Sequence, residues 1–370
     1  MRILQLISSS GFFGAENMIL SLMKGLSSLQ CHVALASLLT PAKGCGELAC
    51  HARQLSFQSF EIPCGGKLDR RSISELRRIA TRGNYDIIHS HGSKADLYSR
   101  LAIDGTRHVR IATVHNWPTK TLKMRAYALL DKFALRSFTR VVAVSDAVAQ
   151  ALVRSGVPLH KITQIDNGID PAAFRNGTDR VRAELNLQNV PVIGYVGRLA
   201  PEKGLDVLLN SIPGIMKYCP DVHVILVGDG PLRNQLMELA QTLGIDSRVK
   251  FLGLRRDMAD LYHAMDIFVL PSRDEGFPMT ILEALAAGKA VVASSVGQIP
   301  HVIHDHETGL LVQPGSRQQL TDAIVELFRS PQVKDRLSLQ GQHLVDQEFT
   351  AEVMAKKYLE QYRLSTSVQI

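Results

Sequence analysis

Cysteine is scarce: the 370-residue chain holds five, Cys31, Cys45, Cys50, Cys64 and Cys219. Their number is odd and no CxxC pair occurs, which argues against a disulfide framework or a cysteine zinc site. They read as small, reduced side chains. No apolar run approaches the roughly 20 residues that a bilayer-spanning helix needs. The start, Met1-Arg2-Ile3-Leu4-Gln5, enters a short strand-like run rather than the apolar stretch and cleavage site of a secretory signal. A cytoplasmic location is therefore expected. No DxD carboxylate pair is found anywhere, and no GxGxxG follows the first strand-like run. The second absence counts against a dinucleotide-dependent dehydrogenase.

Apolar residues, by contrast, are plentiful at 45%, and the length exceeds what one core usually supports, so two domains are expected. Charge divides unevenly between them. Residues 1–170 carry 22 Lys and Arg against 12 Asp and Glu, a balance of +10, whereas residues 171–370 carry 20 against 23, a balance of −3. The basic half favours an anionic partner, either a phosphorylated acceptor or an anionic lipid surface.

Short β-branched runs recur, each followed by a helix-length amphipathic segment. In the first half they are 2–7, 33–37, 86–89, 110–114, 141–144 and 162–165. In the second half they are 192–196, 222–227, 249–252, 267–270, 290–293 and 310–312. Runs without clean alternation suit strands buried on both faces. Strands separated by helices imply parallel βαβ units. The expected fold is α/β, with two Rossmann-like, doubly wound parallel-sheet domains facing across a cleft. The boundaries are 1–170 and 171–349, with a helix over 350–364 and a frayed end. Turn residues crowd 168–191, which reads as a linker.

In such sheets ligands bind beyond the carboxyl ends of the strands. The first strand leads into Ser8-Ser9-Ser10-Gly11-Phe12-Phe13-Gly14-Ala15-Glu16 and a helix. A glycine there lets a ligand approach the backbone, and the helix start favours an anion. The first strand of the second half runs into Gly197-Arg198-Leu199-Ala200-Pro201-Glu202-Lys203-Gly204. Arg and Lys five apart beside a glycine turn can place two cations on one diphosphate. Alone, each reads equally well as a packing turn or a solvated charge. The segment Pro271-Ser272-Arg273-Asp274-Glu275-Gly276-Phe277-Pro278-Met279-Thr280, with Glu283 in the helix after it, is the most informative. Gly276 permits close approach, Pro278 suits a first helical turn, and the N–H groups of Met279 and Thr280 could face a phosphate. Glu275 and Glu283 could accept hydroxyls of a sugar and a ribose.

With these three loops in hand, the chain resembles the family-four glycosyltransferases, retaining enzymes of the GT-B fold. The resemblance runs from FGAE at 13–16 through DIIHSHG at 86–92, TVHN at 113–116, NGID at 167–170 and VGRLAPEKG at 196–204. It continues through VGDGP at 227–231, FLG at 251–253 and the Glu-x7-Glu stretch at 270–294, to GLLVQPG at 309–315. The family usually has a double glycine before Ala-Glu; here it is Phe13-Gly14.

The resemblance implies a hexosyltransferase that uses a nucleotide diphosphate sugar as substrate, with neither cofactor nor metal. Gly14 would let its loop approach the donor phosphates or the acceptor, and His115 would contact the donor sugar. Gly197, Arg198 and Lys203 would meet the leaving diphosphate, and Glu275 the hydroxyls of the transferred sugar. Glu283 would bind the ribose, and the backbone around Leu254 and Arg255 would face the base. Gly276, Phe277, Pro278, Met279 and Thr280 complete the donor site; His91 and Glu16 are candidates toward the acceptor. By the same resemblance, 1–170 would bind the acceptor, joined by the helix over 350–364, and 171–349 the nucleotide sugar. Glycosyltransferases of the other common architecture use a DxD pair to hold a metal, so its absence here fits neutralisation by side chains and a helix start. UDP is preferred to GDP because UDP donors dominate relatives of this type. The acceptor would be a glycan or lipid-linked hydroxyl in cell-surface polysaccharide or lipopolysaccharide synthesis. A nucleotide-sugar epimerase or a non-catalytic nucleotide-sugar-binding protein on the same architecture is the alternative.

Two further patterns stand apart. His301, His304, His306 and Glu307 fit no common zinc spacing and read as a polar turn. Basic residues accompany apolar ones at helical spacing over 119–140, and five arginines lie in 68–82. Peripheral contact with an anionic membrane is one reading, and a helix packed on the sheet is the other. No nucleic-acid-binding motif accompanies the charge.

Overall fold

The computed structural model describes residues 1–8, 14–39, 46–66, 68–105, 107–115 and 134–367. Cys45, the glycine loop through Phe13 and the basic stretch from 119 to 133 lie outside the described residues. The chain divides into two compact units: Met1–Gly168 with Ala351–Ile370, and Ile169–Thr350.

The first unit is a seven-stranded parallel sheet. Its strands are β1 (Arg2–Ile7), β2 (His32–Leu39), β3 (Gln58–Pro63), β4 (Ile87–His91), β5 (Val109–Val114), β6 (Arg140–Ala143) and β7 (Ile162–Gln164). Their spatial order is β3-β2-β1-β4-β5-β6-β7. The central strands are buried, as both-face coverage by helices requires, and mostly apolar apart from polar positions such as Gln5, His89, His91 and Thr113. Strand β3 has no counterpart among the expected runs. It is a sheet edge pairing only β2, and its QSFEIP sequence is polar enough that just Ile62 is buried. A half-exposed edge needs no continuous apolar run, so it left no signal of that kind.

The second unit is a six-stranded parallel sheet. Its strands are β8 (Val192–Val196), β9 (His223–Val227), β10 (Val249–Gly253), β11 (Ile267–Leu270), β12 (Ala290–Ser294) and β13 (Leu310–Val312). They are ordered β10-β9-β8-β11-β12-β13. In each sheet the order reverses beside the first strand, between β1 and β4 and between β8 and β11. Loops leaving those strands diverge to opposite faces and open a crevice at the carboxyl ends.

The 168–191 segment is not a free linker. It forms two short helices, Ala172–Arg175 and Arg180–Leu185, fastened to the second unit. Thr178 donates N–H and Oγ1–H to Asp260 at 2.8 and 2.9 Å, and Arg180 pairs with Asp257 at 2.7 Å. Turn-forming composition here marks tight corners in a docked strap.

The last helix, Ala351–Ser367, runs beyond the expected 364. Tyr358, Tyr362 and Ser365 recur at helical spacing and are all buried, which holds its final turns in place. It packs on the helix Gly14–Ser28 where Gly25 faces it. A Cβ on Gly25 would overlap the Ala351 carbonyl oxygen and lie 2.7 Å from Ala355 Cβ. Elsewhere in a helix, Gly→Ala adds about 1 kcal/mol. Here Gly25→Ala should instead destabilise the protein by about 1–3 kcal/mol through overpacking, measured as a lower denaturation midpoint. A raised midpoint would mean that the two helices do not touch at Gly25.

Candidate active site

In the second unit, β8 and β11 deliver two loops to the same place. Lys203 sits in the turn Pro201–Lys203 after β8, and Glu275 in the loop after β11. Lys203 Nζ donates to Glu275 Oε1 at 2.9 Å and Oε2 at 2.7 Å, and Ser272 Oγ donates to Oε2 at 3.0 Å. The pair is mostly buried, with side chains 19% and 11% exposed. A carboxylate held by two donors has a set orientation, and with two acceptor oxygens it retains capacity for a further donor.

The backbone beneath is shaped by Gly297, in the turn after β12, at φ 54°. A Cβ there would collide with the Glu275 carbonyl oxygen, so only glycine lets this turn support the Glu275 loop. At Gly276 the reverse holds: a Cβ would meet nothing within 4 Å. The helix Met279–Ala286 follows. The Met279 N–H donates to the Phe277 carbonyl at 3.0 Å across Pro278, so of the two expected helix-start donors this one is engaged locally.

Glu283 lies in that helix, 7% exposed, and accepts the Tyr262 hydroxyl at 2.7 Å on Oε2. Burial pushes its carboxyl up to about 7, opposed by the tyrosine hydrogen bond. Its proton is therefore exchangeable near neutral pH, and a ligand hydroxyl donating to it would favour the carboxylate. Tyr262, which orients it, was not foreseen; nor were Ser272 and Gly297.

The other expected residues are arranged differently. Arg198 follows Gly197 in the loop after β8, is 65% exposed, and pairs with Glu202 rather than with the buried carboxylates. Arg255 is locked by Glu184 (2.6 and 2.9 Å) and Asp257 (2.9 and 2.6 Å). Its side chain is thus a brace, while the neighbouring Leu254 is 76% exposed. Phe277 packs against Phe349 at 6.3 Å between ring centroids.

In the first unit, the carboxyl ends of β4 and β5 carry a buried hydrogen-bonded chain. His91 Nδ1 meets His115 Nε2 at 3.2 Å, and His91 Nε2 meets Gln5 Oε1 at 2.7 Å. Gln5 Nε2 donates to the Tyr362 hydroxyl at 3.5 Å, which is 2.7 Å from His89 Nδ1. His89 Nε2 lies 2.7 Å from Thr113 Oγ1, itself 2.9 Å from the Tyr358 hydroxyl. Burial drives His89 down to about 3 and His115 to about 4, and His91 well below the usual histidine range. All three rings are therefore neutral at physiological pH. The expectation that His91 could touch an acceptor is corrected here: it is buried, and both ring nitrogens are engaged. His115 is the partly exposed member. Gln5 lies inside the first strand, and Tyr358 and Tyr362 lie in the last helix far from any motif; none of the three was singled out. Gly14 and the buried Glu16 begin the helix Gly14–Ser28.

His304 and His306 are exposed and lie 4.0 and 3.9 Å from Glu307 and Asp305. Among the described residues no three His, Cys, Asp or Glu side chains gather as a metal site. No helix among them is long and apolar enough to cross a membrane.

Two doubly wound parallel sheets, the second with the Lys203–Glu275 pair at its strand ends and the buried Glu283 in the helix that follows, fit the GT-B class of sugar-nucleotide-dependent glycosyltransferases. The profile described as Glycosyltransferase Family 4 matches residues 13–173, and that of Glycosyl transferases group 1 matches residues 190–330. The chain is 30% identical, over 70% of its length and 70% of the relative's, to the UDP-Gal:alpha-D-GlcNAc-diphosphoundecaprenol alpha-1,3-galactosyltransferase of Escherichia coli. It is 29% identical, over 78% and 77%, to the phosphatidyl-myo-inositol mannosyltransferase of Mycobacterium leprae. Its fold is similar to that of Anabaena HepE in complex with UDP-glucose, with TM-score 0.81, 24% identity and 98% and 99% of the two chains covered. The chain belongs to glycosyltransferase family 4, and it is a transferase enzyme.

Proposed function

We propose that the protein moves a hexose or N-acetylhexosamine from a UDP-linked donor to a hydroxyl of a glycan or lipid-linked acceptor, with retention and without a metal. The carrying observation is the Lys203–Glu275 pair, set at the carboxyl ends of β8 and β11 where the strand order reverses. Breaking the bond to a diphosphate develops negative charge on the leaving oxygens and positive character at the sugar. Lys203 and Arg198 neutralise the first, aided by the helix start near Pro278. Glu275 accepts hydroxyls of the transferred sugar, Glu283 those of the ribose, and His115 contacts the sugar. The backbone around Leu254 and Arg255 faces the base. The acceptor hydroxyl attacks from the face that the diphosphate leaves, and the leaving phosphate takes its proton.

The UDP-glucose complex of the HepE structure supports the choice of UDP. The diphosphoundecaprenol in one relative's name and the phosphatidyl group in another's support a lipid-linked acceptor. With such an acceptor, the proposal extends to cell-surface polysaccharide or lipopolysaccharide synthesis, carried out in the cytoplasm at the membrane surface. The exposed arginines of the helix Arg70–Arg82 are basic groups that could meet anionic lipid there.

A thermal-shift panel of nucleoside diphosphates and nucleotide sugars in the presence of EDTA tests the reading. UDP and one UDP-sugar should raise the melting temperature, since a ligand that binds only the native state stabilises it. A shift that appears only with added manganese or magnesium would overturn the metal-free site.

A further inference from the structure

The hydrogen-bonded chain of the first unit has a direction, and that direction decides which nitrogen His115 offers. A neutral imidazole has one donor and one acceptor nitrogen. His91 therefore cannot donate at both ends. Two arrangements satisfy every group. In one, His91 donates from Nε2 to Gln5 and accepts from His115 on Nδ1. In the other every bond is reversed, and the Gln5 amide is turned so that its nitrogen faces His91.

The Gln5 amide distinguishes the two. His91 Nε2 faces Gln5 Oε1 at 2.7 Å, within the range of N–H···O, and an amide oxygen can only accept. Gln5 Nε2 lies 3.5 Å from the Tyr362 hydroxyl, at the outer edge of hydrogen-bond reach, so this is the weakest link of the chain. Tyr362 can then donate to His89 Nδ1, and His89 Nε2 to Thr113. Each step in this sense leaves the next group the role it needs.

The geometry points to Gln5, His91 and Tyr362 as positioning residues that hold His115 in its Nε2–H tautomer and leave Nδ1 as a hydrogen-bond acceptor for a hydroxyl of the transferred sugar. Among the described residues nothing else bonds that Nδ1. The sugar contact rests on the function proposed above; the tautomer does not. The C-terminal helix, far from every motif, thereby acts on the site through Tyr362. A neutral ring that accepts also differs in consequence from one that donates. It selects a sugar hydroxyl free to donate and disfavours a substrate carbonyl or phosphate oxygen at that point.

Long-range nitrogen–proton NMR of the full chain labelled with 15N-histidine, without ligand at neutral pH, reads the tautomer of each ring. The His115 signals are assigned by their disappearance in His115→Gln. In the wild type, Nε2 should be the protonated nitrogen. Gln5→Met removes the acceptor of His91 and should change the His115 tautomer ratio by roughly fivefold or more, the worth of about one hydrogen bond. Tyr362→Phe keeps the ring and should shift the ratio in the same sense by less. A wild-type Nδ1–H signal, or a ratio unmoved in both variants, overturns the inference; if Gln5→Met does not fold, the wild-type reading alone decides. Unchanged sugar transfer in His115→Gln would sink the sugar contact and leave the tautomer result standing.

Discussion

In Lys203→Ala, sugar transfer is expected to fall by roughly 10²- to 10³-fold, the scale seen when one preorganised donor to a developing negative charge is removed. The ammonium group has three donors, and two are directed at Glu275. The third remains for a phosphate oxygen, so the lysine can serve the carboxylate and the leaving group together. Without it, the diphosphate departs beside Glu275 with one cation fewer. Folding should suffer less. Glu275 keeps the Ser272 hydroxyl at 3.0 Å, so the loss in stability is about 1–3 kcal/mol rather than the full penalty of an orphaned buried charge. Circular dichroism and turnover measured on one sample separate the two effects. Near-normal turnover would remove Lys203 from the chemistry.

Acidification from pH 7.5 to 5 should lower the melting temperature of the first unit by roughly 10 °C, with little change or a small gain in the second. The sign follows from the direction of each shift. His89, His91 and His115 titrate below the ordinary histidine range when folded, near 3 for His89 and near 4 for His115. As pH falls through about 6.5, the unfolded chain takes up protons that the folded one refuses, and stability is lost progressively until the folded values are reached. Three such rings amount to several kcal/mol. Glu283 runs the other way. Its folded value, near 7, lies above the unfolded one, so its contribution is fully present below about 4.5 and is lost as pH rises through 7. Calorimetry at the two pH values checks this. A first transition unmoved by pH would mean that these histidines titrate normally in the native protein.

The local pattern of the chain carried much of the fold. Among the described residues, twelve of the thirteen strands show as largely β-branched or apolar runs, because a strand covered on both faces is mostly apolar, whereas β3 is a half-exposed edge and lacks that pressure. The Glu275–Thr280 loop was legible for a similar reason. Glycine, proline and a carboxylate in close order stand out as residue types, although Gly276 itself has room for a Cβ. Arg198 and Arg255 show where such reading stops. Their roles were assigned from motifs, but the partners their side chains take here were not legible: Arg198 pairs with Glu202, and Arg255 braces Glu184 and Asp257.

Residue order thus established two parallel α/β layers, the loops at their strand ends and the types of side chain those loops present, since each depends on neighbours within a few positions. Folding settled which of those side chains meet. Lys203 and Glu275 are 72 residues apart and touch because β8 and β11 are adjacent in the sheet. Gln5 and Tyr362 are 357 apart and join one hydrogen-bonded chain because the last helix belongs to the first unit. Partners, burial and hence protonation arise from strand order and helix packing, which no local window of the chain contains.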